Sequence, residues 1–298
     1  MAKIALLDGG MGQELLGRSQ DNPSPLWATQ VMLDHPDLVR EIHLDYYQSG
    51  ATIATTNTYA LHHDRLIPQG QDNLFLALYA HALGQASEAR AAHASGRIAG
   101  SIGPLVVSYG ANVVAPVEET APKYAEIANL LAPHVDFLLI ETMAGLLQAE
   151  GALKGASEAG LPVWVSFTVD DTDGTRLRSG ENVVEIERLV ETYRPAALLA
   201  NCSLPEVMSQ ALDCLSKFDL PFGAYANGFT HIPDSFKIQG ATAEHLTRRN
   251  DLNPEKYAQF AMDWVAQGAT IVGGCCEVGP AHIRELAKCL GAHGHQIV

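Results

Sequence analysis

No apolar run in this 298-residue chain is long enough to cross a bilayer as a helix. The opening stretch Met1-Ala-Lys-Ile-Ala-Leu-Leu7 is broken by Asp8 and is too short for a secretory signal. Positive charge is scarce: 19 Lys and Arg face 34 Asp and Glu, for a net charge of −15. A nucleic-acid footprint needs clustered basic residues, so the balance argues against that partner and favours a small-molecule protein. Five cysteines, an odd number in so long a chain, do not suit a secreted disulfide framework. A reducing cytoplasm is the expected compartment, with neither nucleic acid nor membrane as partner. No low-complexity linker or composition break divides the sequence, so residues 1–298 are expected to form one domain. Oligomeric state is left open.

Familiar ligand loops are missing as well. Asp8-Gly9-Gly10-Met11-Gly12 has the look of a nucleotide loop, but Leu15 stands where the dinucleotide fingerprint has its third glycine. Asp170-Asp-Thr-Asp-Gly174 lacks the spacing and terminal glutamate of a calcium loop and reads as a solvated turn. His62 and His63 read as surface residues of a polar loop.

What is present is alternation. Eight short apolar runs recur: Ile4–Leu7, Thr52–Thr55, Arg97–Ser101, Phe137–Ile140, Val163–Thr168, Ala197–Ala200, Phe222–Tyr225 and Thr270–Val272. Most are apolar throughout, as strands of a parallel sheet buried on both faces must be. Helical spacing follows them. Pro36 precedes a helix with Leu38, Ile42 and Tyr46 on one face, and Asn253-Pro254 caps another that ends at Gly268. A last helix starts at Pro280. Eight such units in roughly 250 residues predict a (β/α)8 barrel rather than an open doubly wound sheet. The stretches 18–30 and 227–253 are expected to be loops over its mouth.

A parallel barrel gathers every strand C-terminus on one face, and the unusual residues of this chain sit at those ends. Asp8 ends the first run, Tyr59 follows the second, Glu141 ends the fourth, Cys202 the sixth, Asn227 the seventh, and Cys275-Cys276 the eighth. Adjacent cysteines rarely pair with each other, since a disulfide needs more separation than neighbouring residues of a trans peptide provide. Together with Cys202 they offer three sulfurs to a tetrahedral metal, most naturally zinc, with the fourth position open. Three thiolates quench the metal as a generator of hydroxide, yet a fourth thiol bound there still gives up its proton. Free thiols titrate near about 8.5, so such a centre answers a shortage of thiolate at neutral pH and points to alkylation of a substrate thiol. Cys214 and Cys289 fall on apolar helix faces and read as core. Asp8 and Glu141 at one mouth could hold an ammonium, with the N–H groups of Gly9-Gly10 receiving a carboxylate.

Asp8-Gly-Gly-Met11, Trp27, His35-Pro-Asp-Leu-Val-Arg40, Thr56-Asn-Thr-Tyr59, Ile140-Glu141, Arg178-Ser-Gly-Glu181, Asn201-Cys202 and Gly273-Gly-Cys-Cys276 resemble, in the same order, the homocysteine S-methyltransferase family. The resemblance implies a zinc-binding (β/α)8 barrel that methylates homocysteine to methionine. It places zinc on Cys202, Cys275 and Cys276, homocysteine on Asp8, Gly9 and Glu141, and the methyl donor beside Trp27, Tyr59 and Asn227. Glu141 is followed by Thr142, where the betaine-using branch has an aromatic, so S-methylmethionine or S-adenosylmethionine leads as donor. Tyr225-Ala226-Asn227 is similar to the Tyr-Pro-Asn of the sulfonium-using branch but lacks its proline. Three alternatives stand beside this reading: betaine or another sulfonium as donor, another small thiol as acceptor, and a non-catalytic zinc-thiolate or redox-sensing barrel.

Overall fold

The structure, a computed structural model, describes residues 1–21, 26, 28–110, 115–238 and 246–298. Nine strands are found among the described residues: β1 (Lys3–Leu6), β2 (Ile53–Thr55), β3 (Arg97–Ile102), β4 (Phe137–Met143), β5 (Val163–Phe167), β6 (Ala197–Asn201), β7 (Phe222–Tyr225), β8 (Ile271–Val272) and β9 (Gln296–Ile297). They lie in the order β2-β3-β4-β5-β6-β7-β8-β1-β9, and every pairing is parallel. The ring closes where Leu7 bridges Ile53, with Thr52 N–H on the Leu6 carbonyl at 2.8 Å. The expected (β/α)8 barrel is the fold that forms. The short β9 pairs with Lys3 and Ile4 near the start of β1. Two residues at the chain end carry too little pattern to be read as a strand beforehand.

Alternation explains how the strands serve two cores at once. Ile4 and Leu6 of β1, and Leu138 and Ile140 of β4, pack against the helices. Ala5, Leu7, Phe137, Leu139, Ala197 and Leu199 fill the barrel interior instead. Continuing that inner parity one step past the apolar residues brings Thr55, Ser101, Glu141, Asn201 and Tyr225 to the upper end of the barrel. Polar residues interrupt the strands where the interior meets the mouth.

Helices α1 (Met11–Ser19), α2 (Ala28–Asp34), α3 (Leu38–Gln48), α4 (His63–Leu66), α5 (Phe75–His93), α6 (Val117–Leu131), α7 (Leu146–Ala156), α8 (Glu187–Tyr193), α9 (Pro205–Leu215), α10 (Pro254–Ala266) and α11 (Pro280–Ala292) connect the strands. Helix α10 starts as its sequence dictates: the Asn253 side chain accepts the Lys256 N–H at 2.9 Å, and Pro254 needs no donor in the first turn. Its Tyr257, Ala261, Trp264 and Val265 are buried.

Three local expectations change. Of the stretch 18–30, residues 18–19 end α1 and 28–30 begin α2, while 22–25 and 27 lie outside the described residues. Within 227–253, of which 239–245 lie outside the described residues, segment 228–230 bridges 247–249 through Phe229 and Arg248 and a 3₁₀ turn spans Asp234–Phe236, so the stretch is not irregular throughout. His62 is fully buried against the Tyr124 ring, because the loop after β2 folds inward onto α6, while neighbouring His63 stays half-exposed. The reading of 170–174 as a turn holds: Asp170 Oδ1 accepts the N–H of Thr172 at 2.8 Å.

Candidate active site

Two glycine pairs set the geometry. Gly9-Gly10 follows β1 and Gly273-Gly274 follows β8, and these neighbouring strand ends pass each other backbone to backbone. A Cβ on Gly9 would stand 2.0 Å from the Val278 carbonyl, one on Gly10 2.7 Å from that of Cys275, and one on Gly274 2.2 Å from the Val278 side chain. No larger residue permits this approach. Gly274 N–H donates to the Asp8 carbonyl and Gly10 N–H to that of Val278. The segment carrying the paired cysteines is thereby locked to the segment carrying Asp8.

Cys202 arrives from the opposite side. It lies just beyond β6 with φ +51°, an uncommon conformation for a residue with a side chain. Its N–H donates to the Tyr225 carbonyl, and its own carbonyl accepts the buried Asn227 amide at 2.8 Å. The three sulfurs of Cys202, Cys275 and Cys276 lie within 4.8 Å of one another. Cys202 to Cys276 is 3.7 Å, matching the edge of about 3.8 Å that a tetrahedron with zinc–sulfur bonds near 2.3 Å requires. Cys275 is closer, at 2.7 Å from Cys202, and sharing an ion would spread that pair by about 1 Å. The donor set and spacing suit a soft divalent metal. Burial alone would raise the Cys202 thiol, but hydrogen bonds shared with Cys275, Cys276 and the Tyr109 hydroxyl bring it well below its ordinary range. Phe229, Ile232 and Phe236 pack with Cys202 and Tyr109 into an apolar cluster that the other two cysteines join.

Facing the sulfurs are two buried carboxyls. Asp8 accepts the Thr55 N–H at 2.6 Å and the Thr55 hydroxyl at 2.7 Å. Glu141 accepts hydrogen bonds from the Ser101 hydroxyl and, at 3.2 Å, from the Tyr225 hydroxyl. Burial pushes both acids up to about 7, their hydrogen bonds only partly opposing it; Glu141's charge also raises Asp8, and Cys202's raises Glu141. Glu141 does not end its strand as expected. β4 runs on to Met143 through a register shift, with Thr142 at φ +63°. A β-branched residue there is strained, and Asn201 holds it. Asn201 Oδ1 accepts the Thr142 N–H at 3.0 Å, and its amide donates to the Thr142 hydroxyl at 2.9 Å. The bulge keeps the Glu141 side chain on the cavity.

Asp8, Gly9, Tyr59, Glu141 and all three cysteines line one cavity of about 110 Å³. Helix α1 opens on it from Met11 with Gly10 as its cap. A glycine cap offers no side chain, so the first N–H groups of the helix are left for an anion. The Tyr59 hydroxyl meets Ser108 at 2.8 Å, and the Arg65 guanidinium carbon stands 5.5 Å from the Tyr59 ring centre. Asn227 is not among the lining residues; it is fully buried beneath Cys202. Trp27 lies outside the described residues. Cys214 is buried as expected, and Cys289 is partly buried against the core. Thr55, Ser101, Tyr109, Asn201 and Tyr225 join the site without having been expected there. Inner parity carries the signal for four of them, whereas Tyr109 sits in a loop with no pattern.

The fold and this site define a barrel enzyme with a thiol cluster and an acid pair at the C-terminal mouth of its strands. A family model described as homocysteine S-methyltransferase matches residues 5–290. The homocysteine S-methyltransferase of Escherichia coli is 29% identical over 95% of this chain and 94% of its own. The selenocysteine methyltransferase of Astragalus bisulcatus is 26% identical over 97% and 93%. The metallated crystal form of the Escherichia coli homocysteine methyltransferase MmuM superposes with a TM-score of 0.81, at 27% identity over 96% of both chains. The chain belongs to the homocysteine S-methyltransferase family.

Proposed function

We propose that residues 1–298 act as one homocysteine-binding barrel that moves a methyl group from an onium donor to the thiol of L-homocysteine, giving methionine. The observation that carries this reading is the shared cavity: three thiols of metal-ligand spacing and two buried carboxyls line the same space. Cys202, Cys275 and Cys276 would hold zinc, and when bound it supplies a position at which a fourth thiol loses its proton at neutral pH.

The chain's own residues do the rest. Asp8 and Glu141 receive the ammonium of homocysteine, whose charge compensates carboxyls that burial otherwise discourages from ionising. The N–H groups of Gly9 and the start of α1 receive its carboxylate. The thiol then points across the cavity towards the cysteines. Phe229, Ile232 and Phe236 exclude water from the sulfurs, which strengthens every charge interaction there. A sulfonium donor enters from the Tyr59 side, where an aromatic face attracts a cation; Trp27 adds a second face on the strength of the family resemblance. Asn227 serves from behind, by holding the Cys202 carbonyl. Transfer is in line: the donor's onium–methyl bond breaks as the sulfur–methyl bond of methionine forms, and the donor leaves uncharged. Holding the acceptor sulfur against the methyl carbon, in line with the bond that breaks, supplies much of the acceleration.

S-methylmethionine leads as donor, with S-adenosylmethionine beside it. The test is metal analysis together with methylation of homocysteine by S-methylmethionine, S-adenosylmethionine and betaine, with selenocysteine as a second acceptor. Zinc near one per chain, lost together with activity in Cys276→Ala, is expected. Stoichiometric zinc without any homocysteine binding overturns the reading.

A further inference from the structure

Tyr109 is almost fully buried in the connection between β3 and α6, and its backbone is left-handed at φ +63°. Its hydroxyl stands 2.9 Å from the Cys202 sulfur. Cys202 is itself left-handed, so two uncommon backbone conformations meet through one hydrogen bond. A neutral thiol is a weak acceptor for a buried phenol. A thiolate is a strong one, and opposite a thiolate the phenol must be the donor.

The ring is held from above. The Arg178 guanidinium carbon lies 5.1 Å from its centre. That guanidinium is fixed by Asp171 at 2.8 Å and by the Thr168 hydroxyl at 2.8 Å, in a pair only 6% and 15% exposed. A cation over the π face draws electron density from the ring and makes its O–H a stronger donor. The Arg178 Nη2 that meets Asp171 also reaches the Cys202 carbonyl at 3.5 Å. Asp171, Arg178 and Tyr109 therefore form one connected support that ends on one of the three sulfurs.

We propose that Tyr109 is a positioning residue for the metal centre: its hydroxyl donates to the Cys202 thiolate, fixes that sulfur's direction and draws off part of its charge, with Arg178 strengthening the donor. The inference rests on reading the three thiols as a metal site. It gives the centre a means of easing an excess of negative charge that grows when a substrate thiolate joins three cysteines. Without such a donor the Cys202 sulfur would be more electron-rich and freer to swing.

Cobalt substitution of the full chain separates this inference from the reading beneath it. Tetrahedral visible bands and sulfur-to-cobalt charge transfer in the wild-type protein establish the thiolate site; their absence sinks the metal reading and this inference with it. Given those bands, Tyr109→Phe is expected to keep the tetrahedral pattern, move the charge-transfer band to lower energy and weaken metal binding on the order of tenfold. Tyr79→Phe is the control, because it deletes an equally buried hydroxyl that bonds the Leu61 carbonyl far from the sulfurs, and it moves nothing. The paired variant Asp171→Asn/Arg178→Gln removes both charges and is expected to shift the band in the same direction by less. It carries the test if Tyr109→Phe does not fold. An unmoved band in the folded variant, or an equal shift in Tyr79→Phe, overturns the proposal.

Discussion

Replacing Glu141 by glutamine is expected to make the empty protein more stable and the enzyme worse. Glu141 is buried with hydroxyl donors and, among the described residues, no cation partner, and its carboxyl is pushed from 4.5 up to about 7. At 1.36 kcal/mol for each decade of acidity, the ionised form costs the folded protein about 3 kcal/mol. The sign follows from proton counts: between about 4.5 and 7 the native state binds the proton and the unfolded state releases it. Stability from this group is complete below the unfolded value and is lost as pH rises through about 7. The amide of Glu141→Gln has no charge to bury, so the variant gains at pH 8 the stability that wild type has lost, and gains little at pH 4.5. His43 and His62, buried and lowered to about 4 and about 3, tilt the profile the other way, but they titrate equally in both proteins and cancel in the difference. Homocysteine affinity should fall about 10- to 100-fold, the cost of losing a charge-assisted contact to the ammonium. Urea titrations from pH 4.5 to 8.5, with homocysteine binding measured in parallel, report both quantities. A stability difference independent of pH would refute the argument, as would unchanged homocysteine affinity.

Other perturbations probe the rest of the site. Gly9→Ala places a Cβ 2.0 Å from the Val278 carbonyl and 2.9 Å from the Tyr46 ring; it should cost roughly 1–3 kcal/mol or more in urea denaturation, and an unchanged midpoint would show that the two strand ends are not in contact. Cys202→Ala should abolish stoichiometric metal, and wild-type protein stripped by a chelator should melt at lower temperature; metal retained in Cys202→Ala would remove that residue from the ligand set. Thr142→Gly relieves a left-handed β-branched residue while losing its bond to Asn201, so stability should stay within about 1 kcal/mol as KM for homocysteine rises. A large loss of stability there would mean that no strain is held at the bulge.

The barrel is legible in the sequence because both-face burial leaves a coarse signature: eight short apolar runs, each bounded by Gly, Pro or polar residues and alternating with helical spacing. The cysteines and acids are legible because each stands at the end of such a run, and a parallel barrel brings run ends together. What escapes depends on backbone detail that no residue type announces. Glu141 has the look of a strand end, but a bulge carries β4 two residues further, and only the pairing with β5 reveals it. Tyr109 lies in a loop whose path follows from packing on Phe236 and Arg178, residues far away in sequence. The polar neighbours of His62 suggest a surface position, whereas the loop turns it under Tyr124. Asn227 stands at a strand end like the others, yet its amide turns back to the Cys202 carbonyl, because that carbonyl needs a donor once Cys202 leaves the sheet.

The central claim is that the open position of a three-cysteine zinc centre takes the sulfur of homocysteine. X-ray absorption at the zinc edge, recorded on the full chain before and after addition of L-homocysteine, tests it without reference to turnover. Zinc at one per chain with three sulfur neighbours, rising to four when homocysteine is added, is the predicted result. A sulfur count that does not change on homocysteine binding would contradict it.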